Sequence, residues 1–176
     1  GIWFIDLGAI TNSDYIFKKM AEALRIGGET SITQEQNVTN YLKRRSVLLL
    51  LDNCEHMIEN CAKAAHTILI NCPDAKILAT SRSPLKIMGE VNFHVPALAL
   101  PDLNSRTVEK LNTYDSARLF IERATRINSR FSVSNTSAPA LAQICVWLDG
   151  LPLALELAAG KTRMFALPDI LENLKN

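Results

Sequence analysis

The chain has 176 residues, of which 48% are hydrophobic and 21% charged, and its formal net charge is +1. This composition is that of an ordinary globular protein, and the small net charge does not favour binding to nucleic acid or to an acidic membrane surface. No apolar stretch is long enough to span a membrane, and the first residues lack the basic flank of a signal peptide. Because the chain does not begin with methionine, we expect it to be a piece of a longer, cytoplasmic protein.

The first 96 residues alternate between strand and helix patterns, which is typical of a layered α/β sheet with parallel strands. The predicted strands are Gly1–Asp6, Val47–Leu51, Lys76–Thr80 and Val91–Val95. The first predicted helix is capped at Asn12 or Ser13 and stopped by Gly27 and Gly28. The second is predicted over Thr33–Leu42, and the third runs from about Met57 to Asn71.

After Pro96 the pattern becomes helical. The predicted helices are Asp115–Ile127, Ser137–Leu148, Pro152–Ala159 and Pro168–Leu174. The expected organisation is therefore an α/β domain over residues 1–96, a linker over 97–114 and a helical domain over 115–176.

The stretch around Asp52 is the most informative in the chain. Five consecutive aliphatic residues, Val47–Leu51, run directly into this carboxylate. Such a run suits a central strand that is buried on both faces of a parallel sheet. The carboxyl end of the strand borders the crevice where α/β sheets bind ligands, so Asp52 could hold a hydrated magnesium ion there. Alternatively, Asp52 only caps the next helix.

Two other segments carry polar or rigid features. Thr80, Ser81 and Arg82 follow a predicted strand, and their hydroxyl and guanidinium groups suit an anion, although a plain surface arginine would give the same pattern. In Leu148–Glu156, Gly150 ends one helix and Pro152 begins the next. This pattern indicates a rigid apolar elbow, with an ordinary helix–helix turn as the alternative.

The cysteines form no CxxC pair. Buried free thiols in a reducing compartment are the favoured interpretation. The alternative is a zinc site, built from Cys54, His56, Cys61 and His66.

Four motifs together resemble the nucleotide-binding region of STAND-class signalling ATPases. They are LLLLDNCEH at Leu48–His56, ATSRSPL at Ala79–Leu85, DSARLFIERA at Asp115–Ala124 and LDGLPLALELAA at Leu148–Ala159. The similarity is to NB-ARC-like modules of LuxR-type or SARP-type regulators. It implies a P-loop NTPase-like parallel sheet followed by a small all-helical domain, within a transcriptional or signal-transduction regulator.

The resemblance also implies site roles. Asp52 would be the Walker B residue that binds magnesium through water, and Thr80 and Arg82 would lie in the sensor 1 region, with Arg82 placed toward the terminal phosphate. The GLPL motif would close over the adenine side of ATP or ADP with Gly150, Leu151, Pro152 and Leu153. The intact parent would be a slow ATPase switch.

Two departures from the family pattern bear on activity. No Walker A string, G-x-x-x-x-G-K-[ST], occurs in the chain. We therefore expect a fragment that lacks the Walker A strand and does not bind nucleotide tightly by itself; the alternative is a degenerate family member whose parent has no Walker A loop. The position after Asp52, where many ATPases carry a glutamate base, is Asn53, which leaves Glu55 as the nearby catalytic candidate.

The missing strand would lie between Lys76–Thr80 and Val91–Val95 in relatives. Because unpaired inner edges are costly, we expect Val91–Val95 to collapse onto Lys76–Thr80, or a second copy of the chain to supply the pairing.

A competing hypothesis is a nucleotide-independent scaffold for interaction or oligomerisation. It predicts that Asp52 and Arg82 are scattered or held in intramolecular salt bridges, whereas the ATPase hypothesis predicts that they face one crevice. The expected partners are nucleotide in the parent, other copies of the chain and other domains of the parent. Direct binding to nucleic acid by this segment is not expected, since it has no basic stripe.

Overall fold

The computed structural model describes residues 1–8, 15–27, 32–104 and 106–175. The chain divides into two compact units, Gly1–Phe93 and His94–Asn176. The first combines a parallel sheet with helices, and the second is helical. No helix within the described ranges is long and apolar enough to cross a membrane.

The first unit is built on a three-stranded parallel sheet. Its strands are β1 (Ile2–Asp6), β2 (Val47–Asp52) and β3 (Ala75–Ala79), in the order β1-β2-β3. The aliphatic run of β2 is central, as predicted, and β3 lies one residue earlier than predicted. The three strands end together, because Asp6 is the register partner of Asp52 and Leu51 is that of Ala79.

Three helices connect these strands: α1 (Ile16–Leu24), α2 (Gln34–Leu42) and α3 (Ile58–Asn71). A reciprocal capping box starts α2, because the Thr33 hydroxyl accepts from the Gln36 N–H at 3.2 Å while the Gln36 side chain accepts from the Thr33 N–H at 3.0 Å. Arg25, in the left-handed region, ends α1 two residues before the predicted stop. The predicted cap at Asn12 or Ser13, and Gly28, lie outside the described residues.

The core of this unit lies on one side of the sheet only. Buried side chains of the covered face, such as Ile5, Leu49 and Leu51, pack against the three helices. This arrangement follows from topology: strands added in one direction through right-handed crossovers place their helices on the same face.

The other face of the sheet carries apolar side chains that are exposed. Ile2, Phe4 and Leu78 are 70%, 60% and 59% exposed, and Leu48 and Leu50 are half-buried. We call this the open face, with members Ile2, Phe4, Leu48, Leu50, Lys76 and Leu78. The prediction that β2 is buried on both faces is therefore wrong for one of them, since nothing else in the described part of the first unit covers it.

The prediction of a fourth strand over Val91–Val95 is also wrong. This segment has no regular secondary structure, and Val91, Phe93 and Val95 are 91%, 85% and 76% exposed. It has the apolar alternation of a strand, but a strand exists only where it pairs with a neighbour, and among the described residues β3 pairs with β2 and not with this segment. The predicted collapse onto β3 does not occur.

The second unit contains five helices among its described residues: α4 (Val108–Leu111), α5 (Asp115–Ile127), α6 (Ala138–Trp147), α7 (Pro152–Gly160) and α8 (Leu167–Lys175). The four predicted helices are confirmed to within one residue at each end, and α4 lies inside the predicted linker. The core surrounds Phe120, which is fully buried, with its ring 6.3 Å from the ring of Phe131.

The first residues of the predicted linker are attached to the helical unit. The Leu98 N–H donates to the Gly150 carbonyl at 3.1 Å, and the Ser116 hydroxyl donates to the Ala99 carbonyl at 2.6 Å. The first bond holds this segment against the elbow between α6 and α7, and the second holds it against the start of α5.

Candidate functional site

The carboxyl edge of the sheet brings three polar residues to neighbouring strand ends. Asp6 and Asp52 are register partners at the ends of β1 and β2, and Thr80 directly follows β3. Side chains alternate along a strand, so Asp6 continues the row of Ile2 and Phe4. Asp52 likewise continues the row of Leu48 and Leu50. The open face therefore ends in two carboxylates.

Thr80 is hydrogen-bonded to four consecutive residues of the neighbouring chain segment. Its N–H donates to the Leu51 carbonyl at 2.9 Å, and its carbonyl accepts from the Cys54 N–H at 3.0 Å. Its hydroxyl donates to Asp52 Oδ1 at 2.5 Å and accepts from the Asn53 N–H at 3.0 Å. Sequence reasoning placed Thr80 and Asp52 at the same edge but did not foresee this direct bond.

The turn after Asp52 has a conformation that its sequence explains. Asn53 adopts φ 62° and ψ 51°, a left-handed geometry that asparagine tolerates better than most residues. A 3-10 turn over Cys54–His56 follows. Gly8 leaves room beside it, because a Cβ at position 8 would lie 2.9 Å from Asn53 Nδ2 and 3.2 Å from Asp6 Oδ1. The Gly8 N–H also donates to Asp6 Oδ1 at 2.9 Å.

Arg82 forms an ion pair with Glu55. Its Nε lies 3.5 Å from Glu55 Oε1, and the arginine side chain is 88% exposed. An exposed pair of this kind contributes little to stability, so a competing anion could take the place of the carboxylate at small cost.

Metal binding through cysteine and histidine has no support in the structure. Within residues 1–8, 15–27, 32–104 and 106–175, no group of three or more His, Cys, Asp or Glu side chains is placed to hold a metal ion. The zinc alternative therefore fails, and all four cysteines are free and buried. A hydrogen bond with Cys61, together with burial, raises the pKa of Cys54. Burial raises the pKa of the Cys145 thiol to about 11.

The elbow in the second unit is tightly constrained. Asp149 and Gly150 have φ values of 50° and 64°, and Pro152 occupies the first turn of α7. A Cβ on Gly150 would lie 2.4 Å from the Leu98 carbonyl oxygen. Leu151 and Leu153 are exposed. The predicted rigid apolar elbow therefore has a defined geometric cause, which is the close approach of the 98–100 segment.

Pro152 also borders an open groove of about 690 Å³ in the second unit. The groove carries two arginines, each of which has an acidic partner. Arg118 Nη1 lies 3.3 Å from Asp115 Oδ1, and Arg123 Nε lies 2.9 Å from Glu156 Oε1. These carboxylates offset part of the positive charge that the two arginines bring to the groove.

The candidate residues thus fall into separate groups. Thr80 contacts Asp52, and Arg82 contacts Glu55, all in the first unit. Gly150, Leu151, Pro152 and Leu153 belong to the second unit. Sequence reasoning missed Asp6 as a site residue, although it ends a strand in the same way as Asp52.

The chain matches no protein-family model and no solved structure. It is 33% identical over 174 residues to a Mycobacterium tuberculosis protein provisionally named an HTH-type transcriptional regulator, covering 99% of this chain and 18% of that protein. It is also 33% identical over 176 residues to an uncharacterised protein of the same species, covering 100% of this chain and 42% of that protein. Counterparts in Mycobacterium bovis match equally well. The chain therefore spans less than half the length of these relatives.

Proposed function

We propose that this chain is the greater part of the nucleotide-binding region of a STAND-class regulatory ATPase. In the intact parent, exchange of ADP for ATP would switch a cytoplasmic regulator of transcription or signalling. The observation that carries the proposal is the meeting of Asp52 and Thr80 at the carboxyl edge of a parallel sheet, where α/β proteins bind ligands. The name of one group of relatives, HTH-type regulators, fits the regulatory role.

The residues present suit the chemistry of a magnesium nucleotide. Thr80 engages one oxygen of Asp52, and the second carboxylate oxygen can accept a hydrogen bond from water bound to magnesium. The planar guanidinium of Arg82 suits a terminal phosphate, which would replace the carboxylate of Glu55. Glu55, once released, is the available base, because Asn53 cannot serve as one. The bound magnesium would offset phosphate charge. The GLPL elbow would contact the adenine side.

The open face supports the idea that a further strand and helix complete this unit in the longer protein. Parallel sheets are covered on both faces in almost all known cases. The open face ends in Asp6 and Asp52 at the carboxyl edge and carries Lys76 toward the amino edge. A helix running antiparallel to the strands would place its positive N-terminus beside the two carboxylates. In the family that the sequence resembles, the Walker A strand and helix fill this role.

The proposal predicts that nucleotide affinity depends on the phosphate loop. Calorimetric titration with ATP or ADP in excess magnesium should give no strong binding to this chain, because its sequence contains no Walker A string to cradle the phosphates. A longer form that carries a Walker A loop should bind. In that form, Asp52→Asn should weaken binding in magnesium about tenfold or more. Asp74→Asn, an exposed carboxylate at the amino edge, should leave it unchanged. Lack of binding by both forms would refute the ATPase proposal.

A second candidate function is a nucleotide-independent scaffold that self-associates. The exposed apolar side chains of the open face favour it, as does the occupation of Arg82 by Glu55. On this hypothesis, two copies of the chain would associate by packing their open faces together or by pairing the outer edges of their β3 strands.

The scaffold hypothesis predicts that a charge on the open face lowers self-association. Phe4→Lys should raise the dimer dissociation constant about tenfold or more, because a buried unpaired ammonium is costly. The matched control is Ile70→Lys, which alters a similarly exposed apolar residue at the end of α3. Sedimentation equilibrium over a range of concentrations measures both. A monomer at all concentrations, or equal effects of the two substitutions, would exclude association through the open face.

A further inference from the structure

The Thr80 hydroxyl has almost no capacity left for a ligand. A hydroxyl group has one proton to donate and two lone pairs that accept. The proton is used on Asp52 Oδ1, and one lone pair accepts from the Asn53 N–H. Phosphate oxygens accept hydrogen bonds, so this hydroxyl cannot donate to a phosphate without releasing Asp52.

The same contacts fix the orientation of Asp52. A hydrogen bond from a hydroxyl to a carboxylate is charge-assisted, and at 2.5 Å it is at the short end of the usual range. The carboxylate is half-buried at the strand end, while the backbone on its other side turns sharply at Asn53. The Asn53 N–H would lack this partner if the hydroxyl were removed, and the left-handed turn would lose its tie to β3.

We propose that Thr80 is a positioning residue, whose hydroxyl holds the Asp52 carboxylate in one rotamer for a hydrated divalent cation and does not itself contact the nucleotide. The metal-binding part of this inference rests on the proposed function. The positioning part depends only on the contacts among Thr80, Asp52 and Asn53.

Two substitutions separate the hydroxyl from the rest of the side chain. Thr80→Val keeps the branched shape and both backbone bonds but removes the hydroxyl. Thr80→Ser keeps the hydroxyl and removes only a methyl group. If Thr80 served packing alone, Thr80→Ser would disturb the strand end more than Thr80→Val. If its hydroxyl positions Asp52, Thr80→Val would disturb Asp52 and Asn53 more.

Nuclear magnetic resonance on this chain tests the inference, with manganese as a paramagnetic substitute for magnesium. Three-bond couplings of the Asp52 β-protons should show one rotamer in the wild type and in Thr80→Ser, and averaging in Thr80→Val. Exchange of the Asn53 amide should accelerate only in Thr80→Val. The manganese concentration that half-broadens the Asp52 and Asn53 signals should rise roughly tenfold in Thr80→Val.

The outcomes distinguish this inference from the proposed function. An unchanged Asp52 rotamer and Asn53 exchange in Thr80→Val would overturn the positioning role, whatever the metal does. Averaging in Thr80→Val with no manganese effect on the wild-type signals would support positioning and overturn cation binding by Asp52 in this chain without nucleotide. A larger disturbance of Asp52 and Asn53 in Thr80→Ser than in Thr80→Val would overturn the inference in favour of packing, and equal disturbance in the two variants would also overturn it, because the hydroxyl would then not be the group that matters.

Discussion

Replacing Gly150 by alanine is expected to lower the free energy of unfolding of the helical unit by about 2–4 kcal/mol. Two costs add. At φ 64° a residue with a Cβ is strained, and the new methyl group would lie 2.4 Å from the Leu98 carbonyl oxygen. That oxygen belongs to backbone that is hydrogen-bonded to the elbow through the Leu98 N–H, so it cannot move away without breaking this contact.

Gly160→Ala is the matched control for this substitution. Gly160 is the last residue of α7, has helical geometry, and would place a Cβ in open space. The alanine variant should be neutral or more stable by about 0.5–1 kcal/mol. Urea unfolding measures the change, and amide exchange in α7 assigns it to this unit. Similar stability of the two variants would contradict the account of the elbow.

The second large effect is expected on the covered face of the sheet. Leu49→Ala should lower the free energy of unfolding of the α/β unit by about 2–5 kcal/mol, since Leu49 is fully buried in the central strand. Leu78→Ala changes the same residue type on the open face, where the side chain is already exposed. Its effect should stay within about 0.5 kcal/mol.

Amide exchange in β2 and β3, with urea unfolding, measures the difference between these leucines. A large loss in Leu78→Ala would mean that the open face is covered in solution. Self-association would be the first cause to examine, by repeating the measurement at several protein concentrations.

Much of the fold could be predicted from sequence, because in many segments the local residue pattern favours the same structure that tertiary packing does. The run at Val47–Leu51 and the periodic helices of the second unit specify their own structure. Val91–Val95 shows the limit of such prediction. Its alternating pattern becomes a strand only where the folded chain brings it alongside another strand, and sequence periodicity does not report that.

The candidate site was predictable in outline and not in detail. The position of Asp52 and Thr80 at one edge follows from both residues ending parallel strands. Which atoms meet depends on side-chain geometry, and the bond from Thr80 to Asp52 has no signature in spacing. The pairing of Arg82 with Glu55 was foreseen only in general terms, as the outcome expected of a scaffold.

The order of the strands has a consequence for how the chain folds during synthesis. Because β1, β2 and β3 are adjacent in both sequence and space, each new strand leaving the ribosome meets an edge that is already formed. Domains fold from the N-terminal side as they emerge, and each parallel pairing forms slowly because a long crossover must close first. The edge of the sheet at β3 is therefore the last to form, after β1 and β2 have been translated and paired.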